Sequence, residues 1–170
     1  LQGWPEIAVR LLASTGARIG EVASLKWDAV DLKRGLVTLK GKTGLRTIPL
    51  TEETVKMRVA WRDEAKAEHP FLLGVAPKTA RTAIGTTQLR CACEAAGVPR
   101  FTAHGLRRHA VDSLLRAGID IGTAAAMLGH SPEVMLRSYR QATMGDMRDA
   151  LQRTALGRIP EGRVVVFPGA

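Results

Sequence analysis

The apolar residues of this chain change their spacing twice, and that change constrains the fold more than any single residue does. Over Trp4–Ser14 they fall at Ile7, Leu11 and Leu12, the spacing of one buried helix face. Thr15-Gly16 ends this stretch, and a second helix is predicted from about Arg18 to Leu25. The period then shortens, with Val37 and Leu39 followed by Ile48 and Leu50, and with Gly35, Gly41 and Gly44 between them as turn residues. This pattern predicts a small antiparallel sheet whose hairpin is Lys40–Gly44, with Pro49 marking an edge strand. Thr51 is placed to cap a helix near Thr54 that runs to about Ala67; His69-Pro70 breaks it, and Phe71–Val75 reads as a short strand. Beyond Thr86 the helical spacing returns, over about 86–96, 102–117, 122–128, 132–139 and 144–156, with Gly97, Gly118 and Gly129 at expected helix ends. The tail Arg163–Phe167 reads as a lone strand. The predicted class is α+β, mostly α-helical, with one three-stranded antiparallel sheet near the N-terminus.

Charge narrows the function. The 170 residues carry 25 Lys and Arg against 16 Asp and Glu, a formal +9. A surplus of that size attracts polyanions, nucleic acid first and an acidic membrane surface second. Three Trp, three Phe and one Tyr are too few for a base-stacking platform, so contact through phosphates is the expectation. No apolar run approaches the ~18 residues of a membrane span, and no signal-peptide pattern opens the chain. The chain starts at Leu1 rather than Met and is read as a piece of a longer protein with room for one domain. Cys91 and Cys93 sit too close together to staple a secreted fold; both are read as buried free thiols in a reducing, cytoplasmic setting.

Several motifs bear on chemistry. Gly41-Lys42-Thr43 resembles the end of a phosphate-binding loop, but Leu36 holds the position of its first glycine and a strand follows where a helix is needed. His104 and His109, five apart, diverge by about 140° around a helix, so a shared metal ion is not expected, and no carboxylate cluster in the sequence offers a magnesium site. His104 and Arg107 are three apart and share a helix face, where alone they read first as a solvated surface pair and only second as a proton-transfer and phosphate-clamping pair. His130 after Leu128-Gly129 reads alone as a cap or packed residue, and Tyr139 alone as core.

In order along the chain, the motifs say more. Thr15-Gly16-Ala17-Arg18-Ile19-Gly20-Glu21-Val22 is followed by Gly41-Lys42 ahead of Arg46-Thr47-Ile48-Pro49-Leu50. His104-Gly105-Leu106-Arg107-Arg108, Leu128-Gly129-His130-Ser131 and Tyr139 then follow. This succession resembles the tyrosine recombinase (phage integrase) family from near residue 4 to about residue 156. The resemblance implies that family's catalytic-domain fold over 1–156, a tail over 157–170, and an amino-terminal DNA-clamping domain that this chain lacks.

It also implies a site-specific recombinase or integrase of a mobile element or chromosome, acting on double-stranded DNA without metal, cofactor or ATP. Tyr139 would attack a backbone phosphorus to leave a 3′-phosphotyrosine. Arg18 and Arg107 would hold the non-bridging oxygens, Lys42 would protonate the leaving 5′-oxygen, His104 would assist proton transfer, and His130 would hydrogen-bond a phosphate oxygen. Glu21, one turn after Arg18, would orient that arginine. Arg108, Arg137 and Arg140 are candidates for backbone contacts or simply for solubility. Active recombinases of this kind assemble as tetramers on DNA, and this piece alone is expected to be monomeric and nucleoid-associated when bound. The rivals are an inactive DNA-binding regulator of the same fold and a type IB topoisomerase. Phosphate contacts do not read sequence. DNA binding by the isolated chain is therefore expected to be weak and indifferent to sequence, with a logarithmic affinity that falls linearly with the logarithm of salt in a filter-binding titration.

Overall fold

Local rules set the first elements. In the computed structural model, which describes residues 1–42, 44–64, 69–131, 133–135 and 144–153, helix α1 (Trp4–Thr15) has Pro5 in its first turn and ends on Gly16 at φ 60°. It buries Ile7, Ala8, Leu11 and Leu12. The Thr15 hydroxyl, itself buried, donates to the Leu11 carbonyl and accepts the Ala17 N–H, so the sharp turn leaves that side chain satisfied. Helix α2 (Ile19–Ala23) follows at once, with Arg18 as its N-cap residue.

Strands β1 (Val30–Asp31), β2 (Leu36–Gly41) and β3 (Gly44–Pro49) form an antiparallel sheet in the order β1-β2-β3, which puts Pro49 on an edge strand as its missing N–H requires. Val37 faces Ile48, Leu39 faces Arg46 and Gly41 faces Gly44, so Lys42 lies in the hairpin connection. Helix α3 (Glu52–Glu64) is capped as expected, the Thr54 N–H donating to Thr51 Oγ1 at 3.3 Å. After it come α4 (Pro77–Ala83), a π-turn (Ile84–Gln88), α5 (Leu89–Ala96), α6 (Ala103–Arg116) and α7 (Ile121–Leu128). Thr102 caps α6 and Asp120 caps α7.

The chain divides into two compact units, Leu1–Arg137 and Ser138–Ala170. In the second, only helix α8 (Met144–Arg153) is described. The described residues of the first unit form two apolar clusters. Leu11, Leu12, Val22, Val37, Leu39, Leu72, Leu73 and Ile84 form the larger, and Val111, Ala124, Ala125, Leu128 and Met135 form the smaller, between α6 and α7.

Three expectations are corrected. Phe71–Val75 is not a strand: it makes a single bridge, Lys26 to Phe71, and then turns at Gly74. The Leu72 N–H donates to the Leu25 carbonyl, and the Leu72 carbonyl accepts the Trp61 indole N–H, so its backbone is satisfied with no strand partner. Helix begins at Pro77, well before Thr86, because Pro at the helix start and one buried residue, Ala80, suffice where apolar periodicity is absent. Of the two cysteines only Cys93 is buried; Cys91 lies exposed on the other side of α5. The tail at 157–170 and the end of the 132–139 segment lie outside the described residues.

Gly16 is the backbone position on which the α1–α2 turn depends. A Cβ there would stand 2.9 Å from Ala110 Cβ and closer still to the Leu128 side chain, at a φ that L-residues resist. Gly16→Ala is expected to destabilise the fold by about 2–4 kcal/mol, from left-handed strain and overpacking together, as read from urea unfolding.

Candidate active site

The site is built on the turn that joins α1 to α2. Glu21 is in the third position of α2, and its Oε2 accepts the Arg18 N–H at 2.8 Å, the acidic half of a capping box. Its Oε1 accepts Arg18 Nη1 at 3.1 Å. Glu21 is only 5% exposed, and a carboxylate so placed needs a partner. Sheet register supplies one. Arg46 sits opposite Leu39, on the inward face of β3, and closes a two-toothed ion pair with Glu21: Nη1 to Oε1 at 2.9 Å and Nη2 to Oε2 at 2.7 Å. Its Nε donates to the Met127 carbonyl at 3.0 Å. Gly41 passes so near that a Cβ would lie 2.6 Å from Glu21 Oε1, which brings the start of the Lys42 turn beside the cluster.

Arg107 enters from α6. The Thr102 cap fixes the first turn, which carries His104, and Arg107 follows one turn later at 3% exposure. Its Nη1 donates to the Gly16 carbonyl at 2.6 Å, its Nη2 to the Leu128 carbonyl at 2.5 Å and its Nε to His130 Nε2 at 3.3 Å. Arg18 Nη2 donates to the Gly129 carbonyl at 3.1 Å. The left-handed turn at Gly129 thus offers successive carbonyls to two arginines and then presents His130. Because a guanidinium only donates, His130 Nε2 is the acceptor, and the ring proton sits on Nδ1, 3.2 Å from Met135 Sδ.

The electrostatics follow from this geometry. Burial pushes the Glu21 carboxyl up, but the hydrogen bonds from Arg46 and the Arg18 N–H, with the charge of Arg46, outweigh it and hold the group at about 2. Burial and the charge of Arg18 bring Arg107 down to about 10, against the pull of Glu21. Burial and then the charges of Arg107, Arg18, Arg46 and His104 push His130 down to about 4, so its imidazole is neutral at pH 7. Three guanidinium groups share one carboxylate here. The surplus positive charge faces outward at Arg18, whose side chain is 36% exposed. Such a cluster is suited to an anion whose oxygens need fixed donors.

Of the residues singled out in the sequence, the structure gathers Arg18, Glu21, Arg107 and His130. His104 is exposed on the first turn of α6, and its charge reaches His130. Lys42 is exposed in the hairpin connection. Arg108 is exposed, the next residue round α6 from Arg107. Arg137, Tyr139 and Arg140 lie outside the described residues. Among the described residues, no group of three or more His, Cys, Asp or Glu side chains is gathered as metal ligands would be. No helix among them is long and apolar enough to cross a membrane. Sequence reasoning missed Arg46 and Met135. The signal for Arg46 was present: a charged residue at an inward position of an alternating strand demands a buried partner.

The family model described as the phage integrase family matches residues 2–145. Among curated proteins, a tyrosine recombinase XerC of Mycobacterium sp. (strain KMS) is 31% identical over 155 residues, covering 84% of this chain and 50% of that protein. Tyrosine recombinase XerA of Thermococcus kodakarensis is 30% identical over 156 residues, covering 88% and 55%. The chain thus spans about half the length of the curated relatives it matches. Among solved structures, that of a XerA recombinase superposes with a TM-score of 0.69 at 25% identity, over 88% of this chain and 55% of that one. The Tn1549 transposon integrase in complex with transposon right end DNA does so with 0.70 at 21% identity, over 87% and 57%, a likeness of fold.

The state of His130 can be tested directly. The native imidazole gains its proton near pH 4 and an unfolded one near 6.5, so between these values the unfolded chain binds more protons and acid favours it. Stability is expected to fall from pH 7 to pH 5, above the range of Glu21, and to fall less in His130→Gln; an imidazole NMR titration should show His130 neutral throughout.

Proposed function

The chain belongs to the phage integrase family, and on that footing we propose that it cleaves and rejoins DNA strands at specific sites through a 3′-phosphotyrosine intermediate. The observation that carries this reading is the meeting of Arg18 and Arg107, from segments 89 positions apart in sequence, around one buried carboxylate and a neutral histidine. In this reading residues 1–156 are the catalytic domain and 157–170 a tail.

Tyr139 supplies the nucleophile. Its phenolic oxygen bonds to phosphorus as the bond to the 5′-oxygen breaks; the phenol gives up its proton with help from His104, and Lys42 donates one to the departing oxygen. Charge gathers on the non-bridging oxygens, where Arg18 is the accessible donor and Arg107 a braced charge behind it. His130 accepts at Nε2 in the absence of DNA, so a hydrogen bond from it to a phosphate oxygen requires a proton there. An incoming phosphate opposes the arginine charges that depress the imidazole and favours that protonation. A 5′-hydroxyl from a second strand then reverses the steps without ATP.

Double-stranded DNA is the partner, and a tetramer on DNA is the working assembly. Arg108, Arg137 and Arg140 add backbone contacts. The action is cytoplasmic, on chromosome or mobile element.

A nicked suicide substrate tests this reading. The protein carrying this chain is expected to form a covalent adduct, and Tyr139→Phe none. Arg107→Ala should slow adduct formation a hundred- to thousandfold, about 3–4 kcal/mol of barrier. DNA binding with no adduct from the unaltered protein would instead mark a regulator. Supercoil relaxation without strand exchange would mark a topoisomerase.

A further inference from the structure

Arg46 is the one charged group in the cluster to which the cleavage reading assigns no role, and it alone grips both carboxylate oxygens of Glu21 through its two terminal nitrogens. We propose that Arg46 is a positioning residue of the strand-cleavage site, clamping Glu21 and the Met127 carbonyl at once so that the Lys42 hairpin, Arg18 and the turn before His130 are held as one unit. The proposal rests on the strand-cleavage reading and names the part that regulates its geometry.

The contacts run in three directions. Two teeth of the guanidinium grip both oxygens of Glu21, which in turn receives the N–H and Nη1 of Arg18. The third, Nε, holds the carbonyl of Met127, three residues before His130. At Gly129 a Cβ would lie 2.8 Å from Arg46 Nη1, so that turn is closed directly over the arginine. The strand itself completes the link: Arg46 is two residues into β3 from the Gly41–Gly44 pair that flanks Lys42.

Stability alone does not explain such a residue. An ion pair with side-chain exposures of 10% and 4% returns little net stability after desolvation, and an apolar side chain would serve the sheet at this inward position as well. What an apolar residue cannot do is fix both carboxylate oxygens in the plane that meets Arg18. Lysine, a point charge without a fork, cannot either.

The charged groups around Glu21 are Arg18 at the start of its own helix, Arg46 from β3 and Arg107 from α6, with Lys42 just beyond Gly41 on the hairpin and His130 the titratable group after α7. Removing Arg46 takes away two hydrogen bonds and the nearest charge, so the carboxyl titrates higher.

The experiment compares wild type, Arg46→Met, Arg46→Lys and Arg46→Met/Glu21→Gln in the protein that carries this chain. Single-turnover adduct formation on a nicked substrate, DNA affinity and amide hydrogen exchange are measured across pH. Arg46→Met is expected to keep DNA affinity within about threefold and lose at least tenfold in adduct rate, with Arg46→Lys recovering little of it. Its pH–rate profile gains an acidic limb beyond any that wild type shows, and Glu21→Gln in the same background removes that added limb. Exchange rises together at residues 40–46 and 129–130 while the α1 amides hold. Wild-type rate and profile in Arg46→Met overturn the proposal, as does a uniform rise in exchange with full rescue by lysine. If wild type itself forms no adduct, the cleavage reading falls, and the exchange pattern still decides whether Arg46 clamps the hairpin to the turn.

Discussion

A single carboxylate holds the first unit's charged centre together. Glu21 is buried beside Arg18 and Arg46, and close enough to Arg107 to raise that arginine's proton affinity. Without it, three like charges would be left in a poorly solvated space. Each arginine comes from a different local rule: Arg18 from a helix N-cap, Arg46 from the inward phase of a strand, Arg107 from the second turn of a capped helix. Glu21 converts three independent local structures into one site. The backbone cooperates, because the turns at Gly16 and Gly129 aim carbonyls at the guanidinium groups.

Much of this was legible in the sequence, and the failures have physical causes. The sheet, its hairpin and edge strand, the Thr51 cap and the ends of α6 and α7 follow from alternation, turn glycines and capping residues, all of which are local signals. Arg18, Glu21, Arg107 and His130 were legible only as an ordered set of motifs, since each alone fits a bland surface role. Arg46 sat in one of those motifs unassigned, because its partner is set by sheet register and lies 25 positions away. Phe71–Val75 misled because burial of Leu72 and Leu73 looks the same in sequence whether a strand or a turn delivers it. Pro77–Ala83 was missed for the opposite reason, being a helix with a single buried residue and so little periodicity to detect.

The described residues also specify a resting electrostatic state. His130 is held neutral with its proton on the Met135 side, and Arg107 spends three of its five N–H donors on two carbonyls and that imidazole. A methionine sulfur is a weak acceptor, and it holds the Nδ1 proton without adding charge. A carboxylate in its place would raise the imidazole's proton affinity and so work against the neutral state.

The bracing of Arg107 bears on how such a site would favour a transition state over bound DNA. An arginine free to swing can follow a ground-state phosphate and bind it as tightly as the five-coordinate species, which lowers no barrier. Arg107 is tied at both terminal nitrogens to the backbone of turns packed against the smaller apolar cluster, so moving it means moving Gly16 and Leu128. Its charge is therefore preorganised, and it favours whichever arrangement of oxygens carries most negative charge at that fixed point. Arg18 is the more exposed partner, and it too is tied, through Glu21 and Arg46, to the sheet and to the turn before His130. Two arginines fixed by the same pair of turns, Arg107 through the carbonyls of Gly16 and Leu128 and Arg18 through the Gly129 carbonyl and Glu21, define a position rather than a patch. A general polyanion-binding surface needs only the charge; this construction adds rigidity, which is of use to a reaction and of little use to binding alone.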